Sequence, residues 1–201
     1  MNLKNFEFVT TILVILNIIG FILNYQLNGS ALLTGQVMSN DLLKVGGMTG
    51  HTDVISWFTS MFQHASIAHI LLNMLALISL GPTIRYVYHS YGYILGYLGA
   101  GLGGSIMTAM FNPDVVTVGA SGAICGLLGM VLVASLFSSK RNELMFGNIV
   151  ASIGMVLVNT FLMPNISITG HIGGLTSGFV IGLIFIIIAK LFKFIQTGFN
   201  R

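Results

Sequence analysis

Ser121 stands in Gly119-Ala120-Ser121-Gly122, a small-residue turn at the start of an apolar run. A serine exposed at such a turn is a place to keep a nucleophile, provided a base and an oxyanion site lie nearby. His171 opens a later apolar run, and His64, His69 and Asn73 cluster at the start of an earlier one. His69 and Asn73 are four apart, so on a helix they share one face. His64 precedes them by little more than a turn and is expected to start that helix. Read without the rest of the chain, these three are as compatible with a polar helix cap as with catalysis.

Positioning Ser121 against His171 requires two helices that approach closely, and the glycines supply that. Gly170, Gly174 and Gly178 recur every four residues beside His171. Gly122, Gly126 and Gly129 form a similar series after Ser121, spaced four and three apart. Small-residue stripes let helix backbones come together in lipid, which predicts that the imidazole reaches the serine oxygen. A carboxylate for a third triad member is missing. The five acids are Glu7, Asp41, Asp53, Asp114 and Glu143, and none falls within an apolar run near this cluster. A Ser–His dyad therefore fits better than a triad.

The solvent for these helices is lipid. The 201 residues are 55% hydrophobic and 6% charged, against roughly 25% charged in a soluble domain. A mean hydropathy of +0.92 agrees. The pattern predicts an all-α polytopic membrane protein with six transmembrane helices at roughly 8–27, 62–83, 91–111, 121–138, 144–162 and 170–192, from the length about 20 residues need to span. No polar stretch is long enough to fold alone, so 1–201 reads as one membrane domain. The first run reads as a span rather than a signal peptide, because Asn24-Tyr25-Gln26-Leu27 after it is too bulky for cleavage. The first outer loop, about 28–61, is long. Its Trp57-Phe58 favours the interface, so it is expected to lie partly in the membrane. Asn112-Pro113-Asp114 is a turn that ends the third span.

Charge placement sets orientation. With the N-terminus inside, Lys4, Arg85, Lys140, Arg141, Lys190, Lys193 and Arg201 face the cytoplasm, while Lys44, Asp41, Asp53 and Asp114 lie outside. Both termini are then cytoplasmic, and the Ser/His cluster opens to the extracytoplasmic side of a plasma membrane. The eight Lys and Arg form no basic patch, so nucleic acid is not an expected partner. Without carboxylates or further cysteines beside the histidines, no metal site and no cofactor are expected. A transporter is disfavoured by the lack of an intramembrane acid. Cys125 is the single cysteine, which excludes an intrachain disulfide.

Three motifs in order resemble the rhomboid family of intramembrane serine proteases. They are His64-x-x-x-x-His69-x-x-x-Asn73, Gly119-Ala120-Ser121-Gly122, and Gly170-His171 with Gly174 and Gly178, spread over about Phe58 to Phe185. The resemblance implies Ser121 as nucleophile and His171 as general base. It implies His69 and Asn73 as oxyanion donors with the Ser121 backbone amide, His64 as their support, and Gly119 as the glycine before the turn. It implies transmembrane protein substrates that enter sideways between helices, the fifth span or the loop after it being one place of entry. A catalytically inactive relative that binds membrane segments is the alternative. The chain departs from the family pattern in three places. Cys125 stands where many relatives have a tyrosine, Ile55-Ser56 where they have a Trp-Arg pair, and Arg85 where the second span often ends in glutamate.

Overall fold

The computed structural model describes residues 8–144, 146–162 and 167–199, so Lys4, Glu7, Arg201 and residues 163–166 lie outside the described residues. The described chain is helical, without a strand; the nearest approach to one is a single antiparallel bridge between Met48 and Thr117. In chain order the helices are α1 (Phe8–Asn28), α2 (Ser30–Thr34), α3 (Ser39–Lys44), α4 (Val54–Thr59), α5 (Ile67–Phe111), α6 (Ser121–Phe137), α7 (Phe146–Leu162) and α8 (Ile168–Phe199). Short 3-10 turns cover Ser60–Phe62 and Arg141–Glu143.

The outer surface is aliphatic. Ile15, Leu75, Leu132, Ile184 and Leu191 all point outward and are exposed. That is the reverse of a soluble protein, in which contiguous apolar patches are small. Three helices, α1, α5 and α8, are long and apolar enough to cross a membrane, and α6 and α7 are shorter apolar helices. The brevity of α6 goes with its place. Ala123, Ile124, Leu127, Met130 and Val133 are wholly buried, so most of the helix is covered by protein, with Leu132 and Leu136 left on the outside.

The helix α5 is two limbs. Straight, its 45 residues would run about 68 Å at about 1.5 Å per residue. Yet both ends meet the same region: His69 packs on Gly119, and Thr108 bonds Ser167 at 2.8 Å. The chain turns back at His89, whose φ of 59° and ψ of −177° are non-helical. Where the sequence predicts a loop between about 83 and 91, the structure reverses direction at one residue's backbone. Near this turn Lys140 Nζ donates to Tyr86 O at 2.7 Å and lies over the Tyr86 ring, whose hydroxyl donates to Glu143. The Glu143 bond also raises the Tyr86 phenol above its ordinary value.

One further expectation is corrected. His64 does not start the first limb of α5; Ser66 does, its Oγ accepting from His69 N at 3.1 Å. Serine caps because its oxygen reaches an orphan amide of the first turn. The long loop at 28–61 holds α2, α3 and α4. Asp53 caps α4 by accepting from Ser56 N at 2.8 Å, and that backbone N–H holds its carboxyl below the ordinary value. Trp57 Nε1 donates to Thr49 O at 3.3 Å, tying α4 to the loop before it.

Candidate active site

The approach to Ser121 is fixed from outside. After α5 ends, Val115 N donates to Asn112 O at 3.1 Å, closing the Asn112-Pro113-Asp114 turn. The chain then descends in extended form and is bonded backbone to backbone with the outer loop. Met48 N donates to Thr117 O at 3.0 Å, Thr117 N to Met48 O at 2.8 Å, Gly50 N to Pro113 O at 2.7 Å, and Gly119 N to Ser60 O at 2.8 Å. The folded loop therefore holds the segment that delivers the serine.

Gly119 has φ of 124°, a conformation side chains rarely adopt. A Cβ there would also lie 2.7 Å from His69 Nε2. Both facts require glycine at this position. Ala120 is then the N-cap residue of α6 and Ser121 its first residue. The amide of Ser121 is one of the four that a helix leaves without an internal partner.

His171 reaches the same place through glycine packing. A side chain on Gly174 would collide with the Gly122 carbonyl, and one on Gly178 with the Gly126 carbonyl. Gly170 O lies 3.4 Å from where a Gly122 Cβ would sit, and a Cβ on Gly129 would be 2.8 Å from Phe179 N. On its other side α8 meets the second limb of α5, where Gly103 and Gly104 face Ser177 and Gly170. The α8 backbone is thus wedged between α6 and α5.

Ser121, His171, Gly119, Gly122 and Gly170 line one cavity of about 30 Å³, room for about one water. Ser121 and His171 are both buried, and His171 Nε2 has no hydrogen-bond partner. Its Nδ1 lies 2.8 Å from Thr160 Oγ1 on α7. The ring of His69 adjoins the cavity behind Gly119, with its Nε2 buried and unpartnered. His64 stands edge-on to His69 with centroids 5.0 Å apart, and its carbonyl accepts from Asn24 Nδ2 of α1 at 2.9 Å. Asn73 Nδ2 donates to His69 O at 2.9 Å, so one amide hydrogen is turned to its own helix. Neither Asn73 nor His64 lines the cavity.

Cys125 is buried one turn below Ser121 and faces a second, apolar cavity of about 430 Å³ between α6, α7 and α8. Val156, Thr160, His171 and Leu175 share its wall. The other departures lie away from both cavities. Ile55 is exposed, Ser56 bonds Asp53, and Arg85 Nη1 lies 3.5 Å from His89 Nδ1. Among the described residues no group of His, Cys, Asp and Glu is placed to hold a metal ion.

Three contributors escape a reading of the sequence: Thr160, Ser60 and Asn24. A lone hydroxyl near the end of an apolar helix was the available signal for Thr160. Its pairing with His171 carries no mark in the sequence.

The Rhomboid domain profile matches residues 51–188. Rhomboid protease GluP of Bacillus subtilis is 42% identical over 122 residues, covering 60% of this chain and 24% of its own length. RHOMBOID-like protein 1 of Arabidopsis thaliana is 35% identical over 132 residues, covering 65% and 34%. RHOMBOID-like protein 6, mitochondrial, of the same plant is 35% identical over 134 residues, covering 63% and 42%. The chain thus spans less than half the length of each of these relatives. The matched region begins in the outer loop that braces Gly119 and runs through most of α8, taking in both glycine-packed helices; this membrane-embedded chain belongs to the rhomboid family.

Proposed function

We propose that the chain is an intramembrane serine endopeptidase that cleaves transmembrane segments of membrane proteins with a Ser121–His171 dyad. The observation that carries this reading is the shared small cavity at the start of α6, with Ser121 on one wall and the unpartnered His171 Nε2 on another. Rhomboid relatives named as proteases support it.

In this mechanism Ser121 Oγ attacks the scissile carbonyl as His171 Nε2 takes its proton. The carbonyl oxygen becomes an oxyanion at the N-terminus of α6. There the Ser121 amide donates to it, aided by His69 Nε2–H from behind Gly119 and by the second amide hydrogen of Asn73. Neutral donors in a water-poor site stabilise that charge strongly. His171 returns the proton to the leaving amine, and a water in the cavity then hydrolyses the acyl-enzyme. Serine and histidine are not hydrogen-bonded in the resting state, which is common before substrate tightens a site. Substrates must unwind locally, because a helical amide is shielded by its own hydrogen bonds.

The same reading makes the molecule a six-span protein, with the two limbs of α5 as the second and third spans. Arg85, Lys140, Lys190 and Lys193 then face the cytoplasm, and the site opens outward. The outer loop, with exposed Val54 and Ile55, lies partly in the outer leaflet.

The test is purified protein in bilayers with a transmembrane reporter. Wild type is expected to cleave it and to be labelled by a fluorophosphonate, and both signals should vanish in Ser121→Ala and His171→Ala. Undiminished cleavage by Ser121→Ala sinks the dyad. Reporter binding without cleavage by wild type supports the inactive, segment-binding alternative.

A further inference from the structure

Resting on the reading of His171 as the base, we infer that Thr160 is its positioning residue: it accepts a hydrogen bond from Nδ1–H and so leaves Nε2 unprotonated toward the Ser121 cavity. Thr160 Oγ1 lies 2.7 Å from Val156 O and 2.8 Å from His171 Nδ1. A hydroxyl has one hydrogen, and a carbonyl can only accept. If the hydroxyl donated to Nδ1, two oxygens would face each other at 2.7 Å with no proton between them. Only one assignment places a hydrogen in both contacts. The Thr160 hydroxyl donates to Val156 O, and Nδ1–H donates to Thr160.

The second nitrogen agrees. Neutral imidazole carries one N–H, so a proton on Nδ1 makes Nε2 an acceptor. Nε2 is buried and unpartnered, as expected of a base that awaits a serine hydroxyl. The arrangement does the orienting work of a triad acid without its charge. None of the described acids bonds Nδ1: Lys44 bonds Asp41, Ser56 bonds Asp53, His51 bonds Asp114, and Tyr86 bonds Glu143. An ionised carboxylate inside the helix bundle would need costly desolvation, which a hydroxyl avoids. Cys125 makes the contact more important. With a small side chain there, an apolar cavity lies against His171, and no aromatic ring from that position holds the imidazole.

The experiment compares full-length wild type with Thr160→Val and Thr160→Ser in bilayers. One readout is kcat and KM for a transmembrane reporter. The other is the ¹⁵N spectrum of the His171 ring, identified by its loss in His171→Ala. Wild type is expected to show protonated Nδ1 and unprotonated Nε2. Thr160→Val should shift the ring toward a tautomer mixture and lower kcat about fivefold to tenfold at unchanged KM, the worth of one net hydrogen bond. Thr160→Ser should restore both. A wild-type ring protonated at Nε2 overturns the proposal, and that result needs no variant to fold. So does a Thr160→Val loss of kcat with the His171 spectrum unchanged. Cleavage that survives Ser121→Ala removes the dyad instead, and the spectrum still decides what Thr160 does.

Discussion

A single missing carbon decides the geometry beside the serine. Gly119→Ala puts a Cβ into the His69 ring and forces a side-chain-bearing residue to φ of 124°. Both effects act on the segment that delivers Ser121. The expected outcome is loss of about 1–3 kcal/mol in stability, as for strain of this kind, and a larger fall in kcat than in KM. Thermal unfolding and reporter kinetics check it. Asn73→Ala separates two roles. If its second amide hydrogen meets the oxyanion, turnover should fall by about 10²-fold or more with KM little changed. An unchanged kcat would leave Asn73 only its bond to the His69 carbonyl. At this scale the candidate site was legible in the sequence wherever its residues are local. Ser121 and Gly119 share one turn, and His171 carries its packing glycines with it. Thr160 and Asn24 were hidden because each acts on a histidine from another helix. Only the folded bundle brings those pairs together.

Two elements carry strain or close approach that can be altered deliberately. His89 turns α5 back on itself at a φ that glycine adopts without penalty. His89→Gly is expected to raise stability by about 0.5–1 kcal/mol, seen as a higher melting temperature, provided the Arg85 contact is dispensable. Gly178→Val acts oppositely. Its side chain would strike the Gly126 carbonyl and push α8 from α6, lowering stability by about 1–3 kcal/mol and carrying His171 out of register. The helices themselves were readable from apolar runs and the glycine stripes. The tight reversal and the short helices of the outer loop were not. A two-limbed helix and two separate helices have the same hydropathy, and the loop's order comes from backbone bonds such as Met48 to Thr117. The α4 cap carries a pH signature. Because the Asp53 carboxyl is held below its ordinary value, the cap's contribution is present above the usual carboxylate range and fades as pH falls through the lowered value.

The molecule as a whole is polarised along the helices. Lys140, Lys190 and Lys193 gather with His89 around one end, while Asp53, Asp114 and the site occupy the other. In a Cys125→Ala background, Asn112→Cys should react with a membrane-impermeant maleimide on intact cells, and Ser139→Cys should react only after permeabilisation. The reverse pattern would invert the proposed orientation. The wedge of α8 between α6 and α5 also has a consequence in time. A chain is made from its N-terminus, so the Gly-x-Ser turn is synthesised well before the helix that bears the imidazole. Until α8 slides its glycines against α6, Ser121 is without the imidazole proposed as its base. On the proposed dyad, a chain assembled in this order cannot cut its own nascent helices before α8 is seated.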